Sequence, residues 1–179
     1  MSVFQADEPL DGLEYHIRTQ PTNLGKMIAE AAHAAAPHTQ AVIINSGGIR
    51  IDDKVKGPVT QYDVMRILPY GGAMVEIDID GELLEKVLRV GIRDNVGRGG
   101  YLQTYGIKVV DTGFMIDGKR VVKGQTYTIL TGGFLLSGRE TGLGFFTEKA
   151  DGIKAVRRPG KDDILRDIRL AVIKFMKER

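Results

Sequence analysis

The stretch Ala41-Val42-Ile43-Ile44-Asn45-Ser46-Gly47-Gly48-Ile49-Arg50 decides the reading of this chain. Four aliphatic residues in a row, bounded by polar and turn residues, read as a fully buried strand. The strand stops at Asn45 and passes directly into Ser46-Gly47-Gly48. The two glycines, Gly47 and Gly48, let backbone N–H groups approach an oxyanion, and the forked guanidinium of Arg50 matches phosphate geometry. Asn45, at the strand end, can both donate and accept hydrogen bonds. The pattern lacks the Gly-Lys-Ser/Thr of a phosphate loop, and no helix signal follows at once. Read alone, it fits a glycine turn with a solvated arginine better than a binding loop.

Upstream, Thr22 is placed as the N-cap of a helix whose apolar stripe runs through Leu24, Met27, Ile28, Ala31 and Ala35, stopped by Pro37. Before it, Leu13 to Arg18 alternates as a short strand would. Residues 1–12, polar and carrying Pro9 and Gly12, read as a tail or linker, which leaves 13–179 as the domain. Downstream, Gly57-Pro58 reads as a turn, and Thr60 with Asp63 reads as the capping box of a short helix ended by Pro69. Ala73 to Ile79 alternates as a half-buried strand, Asp80-Gly81 reads as a tight turn, and Leu83, Leu84, Val87, Leu88 and Ile92 mark an amphipathic helix. Tyr101–Val110, Phe114–Val122 and Tyr127–Leu130 read as strands, with a hairpin turn at Asp117-Gly118. Residues 131–152 are glycine-rich and irregular. Residues 162–178 read as a final helix starting at Asp162 and Asp163. Helices and strands mix without βαβ alternation, so the predicted class is α+β: a mixed β-sheet domain with flanking helices.

Composition excludes several chemistries. A chain of 179 residues is long enough for one domain with a sizeable core. Its 25 Lys+Arg against 23 Asp+Glu leave a formal charge of +2 with no basic run, which argues against a nucleic-acid polymer as partner. No apolar run approaches the ~18–20 residues of a membrane span, and the first residues show no signal-peptide pattern. The absence of cysteine removes disulfides, thiolate nucleophiles and cysteine-ligated metals. With only His16, His33 and His38, a dinuclear metal site is not expected in this chain. His33 and His38 read as a surface pair around Pro37. Ser46 and Ser137 have no His–Asp set near them in sequence.

Two more glycine-flanked segments stand out, Pro69-Tyr70-Gly71-Gly72 and Gly132-Gly133-Phe134. Either could present an aromatic ring for stacking on a base. Taken singly, a packed tyrosine and an ordinary flexible loop are the simpler readings.

In order along the chain, these pieces resemble the C-terminal domain of the 5'-nucleotidase family, which includes UDP-sugar hydrolases. The likeness runs from about Leu10 to Phe146. It rests on Arg18 ahead of Thr22-Asn23-Leu24-Gly25, on Asn45-Ser46-Gly47-Gly48-Ile49-Arg50, and on Leu68-Pro69-Tyr70-Gly71-Gly72. It continues through Ile79-Asp80-Gly81-Glu82-Leu83-Leu84, Gly100-Tyr101-Leu102-Gln103-Thr104-Tyr105-Gly106 and Gly133-Phe134-Leu135. The resemblance implies a two-domain metal-dependent phosphoesterase of which this chain is the nucleotide-binding part. An N-terminal metallophosphoesterase domain would carry two divalent metals (Zn, Mn, Mg or Ca), with no cofactor in this chain. It implies that Arg18, Asn45 and Arg50 grip phosphate, ribose or base, and that Tyr70 and Phe134 sandwich the base, Tyr70 replacing the family's more frequent Phe. The family's loop after Phe134 reads Gly-Gly-Asp-Gly. Here it reads Gly138-Arg139-Glu140-Thr141-Gly142, with Glu140 as the nearest equivalent of the Asp. The expectation is therefore a substrate-recognition domain excised from a larger exported hydrolase, periplasmic, secreted or at the cell surface. A stand-alone nucleotide-binding or sensing module is the alternative, and a structural domain with a lost pocket is a third reading.

Overall fold

The computed structural model describes residues 1–179. Strand β1 (Ser2–Asp11) leads to helices α1 (Glu14–Ile17) and α2 (Asn23–Ala35), then β2 (Ala41–Asn45) and β3 (Lys54–Thr60). Helix α3 (Gln61–Ile67), strand β4 (Met74–Asp80) and helix α4 (Gly81–Leu88) follow, with α4 continuing as a π-turn over Arg89–Asp94. The remaining elements are β5 (Leu102–Tyr105), β6 (Ile107–Val110), β7 (Gly113–Ile116), β8 (Lys119–Arg120), β9 (Thr126–Gly132), β10 (Ile153–Arg157) and α5 (Ile168–Lys177).

The expected mixed sheet is present. Five strands lie in the order β10-β4-β9-β2-β5, with β2 and β9 parallel and the other neighbours antiparallel. Strand β2 is central to the packing because its side chains divide between two apolar layers. Val42 and Ile44 pack with Leu24 and Ile28 of α2 and with Val172 of α5, while Ala41 and Ile43 pack with Leu84 and Leu88 of α4. Both faces are thus covered, which is why this segment is an unbroken aliphatic run rather than an alternating one.

Local signals act as their chemistry demands. Thr22 caps α2, its hydroxyl accepting from Gly25 N at 3.0 Å. Thr60 and Asp63 close a reciprocal capping box on α3. Asp117 and Gly118 both sit at positive φ (53° and 75°), as a two-residue hairpin between β7 and β8 requires.

Several expectations are corrected. Residues 1–12 are not a tail: β1 pairs antiparallel with β3 and buries Val3, Ala6 and Leu10. Because β1 is an edge with β3 as its one neighbour, Pro9 is tolerated without breaking a ladder. Leu13–Arg18 is not a strand. The carboxylates of Asp11 and Asp52 accept from Leu13 N (3.1 Å) and Glu14 N (2.9 Å), and so satisfy N–H groups at the start of a short helical turn. Gly57-Pro58 lies inside β3 rather than in a turn, Gly57 adopting φ 80° beside the register shift between Ala6 and Leu10. Asp80-Gly81 is a strand-to-helix junction, with the Asp80 carboxylate accepting from Leu83 N at 2.9 Å. The last helix begins at Asp167, not Asp162, and Asp163 caps a separate 3-10 turn over Ile164–Arg166. Strand β10, just past the region read as irregular and without a predicted element of its own, is tied to β4 by Arg157, whose guanidinium donates to Asp78 at 3.0 and 2.6 Å.

Candidate functional site

The site grows from the end of β2. Ser46, fully buried, donates its backbone N–H to Tyr101 O (2.8 Å) and its hydroxyl to Arg98 O and Gly99 O (both 3.2 Å). Gly47 N–H donates to Gly99 O at 2.8 Å, and a Cβ on Gly47 would lie 3.2 Å from the Gly99 backbone. The Gly47 amide is therefore committed to holding two backbones together and is not free for an oxyanion, contrary to the expectation from sequence. Gly48 differs: a Cβ there would meet one atom, Asn45 Oδ1, at 3.8 Å. It opens onto a cleft of about 100 Å³ that Asn45, Gly71, Gly72, Gly133 and Phe134 also line.

Asn45 does not stand alone. Its Nδ2 donates to Glu140 Oε2 at 3.0 Å, and Glu140 Oε1 accepts from Thr141 N at 2.9 Å. Glu140 is nearly buried. Asn95 pins the same loop from behind, donating to Gly100 O (3.1 Å) and Thr141 O (2.8 Å). The loop after β9 thus brings a carboxylate to the strand end from 95 residues away along the chain.

The other predicted residues are placed less closely. Phe134 lines the cleft and is 45% exposed, with the Arg139 guanidinium over its ring at 5.5 Å. Tyr70 is 72% exposed, and its neighbours Gly71 and Gly72, rather than its own ring, form the cleft wall. The Arg50 side chain is exposed and forms no ion pair, while its backbone N–H donates to Ile67 O at 2.9 Å. Arg18 lies behind the glycine contact, its Nη2 3.9 Å from where a Gly99 Cβ would be. It is paired with Glu14 at 2.9 Å and lines a neighbouring hollow with Tyr15 and Thr19. The structure therefore gathers Asn45, Gly48, Phe134 and Glu140. Tyr70 and Arg50 stand at the margin, and Arg18 adjoins Gly47 through Gly99.

Two residues escaped the sequence reading. Arg139 reaches Phe134 across the loop, and Arg169 reaches the Tyr70 loop from α5. The Arg169 guanidinium holds the Asp167 carboxyl below the usual carboxylate range, and Asp167 in turn raises Arg169. Arg169 falls inside the helix predicted over residues 162–178, and nothing in that stretch signals its contact with residues 100 positions earlier.

A larger cavity of about 640 Å³ opens elsewhere, beside Lys26, His33, Tyr105 and Asp117. Part of the Gly100–Gly106 motif lines it, but none of the candidate side chains Arg18, Asn45, Arg50, Tyr70, Phe134 and Glu140 does, so chemistry rather than size selects the smaller cleft. No group of three or more His, Asp or Glu side chains is placed to hold a metal ion. His16 pairs with Asp11, His38 with Glu76, and His33 with the Thr39 carbonyl, so the three imidazoles are spent at separate points. The residues present do not fit a two-metal centre. No helix is long and apolar enough to cross a membrane.

The family profile described as 5'-nucleotidase, C-terminal domain, matches residues 3–148. The chain is 32% identical over 172 residues to the trifunctional nucleotide phosphoesterase protein YfkN of Bacillus subtilis, covering 84% of this chain and 11% of that one. It is 30% identical over 143 residues to a 5'-nucleotidase of Vibrio cholerae, covering 77% of this chain and 26% of the relative. The crystal structure of a 5'-nucleotidase precursor from Thermus thermophilus superposes with a TM-score of 0.75 at 23% identity, over 99% of this chain and 36% of that one. The chain thus spans about a tenth to a third of the length of the proteins it matches.

Proposed function

This chain belongs to the 5'-nucleotidase C-terminal domain family, and on that premise we propose that it is the nucleotide-recognition part of a larger phosphoesterase. One observation carries the reading: a half-exposed aromatic ring, Phe134, shares a cleft with Asn45, which is hydrogen-bonded to the nearly buried Glu140. A ring beside convergent polar groups is what a base joined to a sugar requires. Phe134 and Tyr70 stack the base, Glu140 accepts from sugar hydroxyls while Asn45 donates to or accepts from them, and the guanidinium groups of Arg50 and Arg18 meet the phosphate. Hydrolysis of the phosphomonoester falls to an N-terminal metallophosphoesterase domain with two divalent metals (Zn, Mn, Mg or Ca), and this chain supplies no step of it.

Titration calorimetry with AMP, UMP, adenosine and UDP-glucose tests the proposal. Binding by at least one nucleotide is expected. Arg50→Ala should weaken it by about 1.5–3 kcal/mol, the range for a hydrogen bond to a charged group, with the melting temperature unchanged. No heat from any of the four at millimolar concentration overturns the reading.

A further inference from the structure

The Pro69–Gly72 loop carries Tyr70 and is closed locally by one hydrogen bond, from Gly71 N–H to Leu68 O at 3.1 Å. Gly71 and Gly72 are both at positive φ (57° and 100°), in conformations reached by residues with the widest backbone freedom. The Tyr70 ring is 72% exposed and makes no stacking contact or hydrogen bond. The loop's other restraints come from α5, beyond the residues that match the family profile. The Asp167 carboxylate accepts from Arg169 Nε at 3.0 and 3.1 Å and from Nη2 at 2.8 Å, which locks the guanidinium plane. That plane lies against Gly71 so closely that a Cβ there would fall 2.7 Å from Cζ, Nε and Nη2. Arg169 Nη1 points to Pro69 O at 3.4 Å, and the next backbone N–H, Ile168 N, donates to Gly72 O at 2.9 Å. The guanidinium thus seats the loop at Pro69 and Gly71, and the Ile168 amide holds it at Gly72.

We propose that Arg169 is a positioning residue that holds Tyr70 in the orientation used for stacking on a nucleobase. This rests on the nucleotide reading above. A planar, rigid group is needed because the loop packs on its flat face, and a lysine ammonium would keep the charge opposite Asp167 but not the plane. Loss of the plane lets the loop populate other conformations, and apparent affinity falls in proportion to the competent fraction.

The chain has no tryptophan, so Tyr70→Trp places a single indole on the loop. In that background, Arg169→Ala should lower the fluorescence anisotropy and increase quenching by acrylamide, in the absence of any ligand. With Tyr70 intact, Arg169→Ala should weaken AMP binding by about 5- to 10-fold, as a competent fraction of a tenth to a fifth would give. In a Tyr70→Ala background the same change should have no further effect, since Arg169 acts through the ring. Arg169→Lys, which keeps the stem and the charge, shifts anisotropy and affinity in the same direction by less, and serves as the reporter if the alanine variant does not fold. Unchanged anisotropy and quenching in either variant overturn the proposal. So does an equal loss of AMP affinity with and without Tyr70, which would make Arg169 a direct contact or a general structural support. Failure of the unmodified chain to bind any of AMP, UMP, adenosine and UDP-glucose would instead overturn the nucleotide reading, and the ligand-free anisotropy would still decide whether Arg169 orders the loop.

Discussion

Glu140 shows how much one residue can settle. Its carboxylate accepts from Asn45 Nδ2 and from Thr141 N, and it is nearly buried. Replacing it with leucine keeps the bulk and leaves two donors without partners, which costs about 1–3 kcal/mol. For a domain of this size, Glu140→Leu should lower the melting temperature by roughly 2–12 °C, measured by circular dichroism. Among the candidate residues, Asn45 and Phe134 could be singled out from sequence because each lies beside a glycine pair, and Glu140 only through the family resemblance, as the nearest equivalent of its Asp. Their convergence could not, since it depends on the loop after β9 folding back to the end of β2. Arg139 and Arg169 were illegible for the same reason. Nothing in a linear neighbourhood says which ring or backbone a guanidinium will meet. Gly47 was legible as a close approach, but not that the approach is to Gly99 rather than to a ligand.

At the scale of elements, helix α3 illustrates a cap whose strength depends on charge. The Thr60 hydroxyl and backbone N–H donate to the Asp63 carboxylate at 2.7 and 2.8 Å and hold its carboxyl below the usual range. A folded-state value below the unfolded one, about 4, gives stability that is complete above about pH 5 and is lost as the pH falls through the folded value. Hydrogen bonds from Arg157 to Asp78 and from Arg169 to Asp167 act with the same sign. The melting temperature should therefore drop between about pH 5 and pH 2. Asp63→Asn should flatten that drop while costing about 0.5–1 kcal/mol at neutral pH, readable as thermal melts across the pH series. Caps and the aliphatic run of β2 were legible because a few adjacent residues determine them. Strand β1 was not, because Pro9 and Gly12 signal a loop and only the partner strand β3 overrules them. The α1 turn is held by carboxylates of Asp11 and Asp52, the second of which arrives from a distant loop.

For the whole molecule, the decisive arrangement is a sheet enclosed between two apolar layers. Helix α5 belongs to one of these layers, burying Ile168, Val172, Ile173 and Met176. Side chains of this kind contribute about 1.5–3 kcal/mol each when fully buried, so their removal forfeits on the order of 6–12 kcal/mol. That is comparable to the total stability of an ordinary domain, about 5–15 kcal/mol. Deletion of residues 159–179 should therefore abolish the cooperative thermal transition, although the family profile ends at residue 148. A sharp transition within a few degrees of the intact chain would show α5 to be an ornament.

The guanidinium of Arg139 over Phe134 means that this face of the ring is already occupied when no guest is present. Any flat molecule arriving there must evict a cation, so admission and displacement become a single exchange. The evicted charge is tethered only five residues along the chain from the ring, and cannot diffuse away. An anionic guest would thus find a counter-ion released at its side by its own arrival, whereas a cationic one would meet repulsion at the threshold.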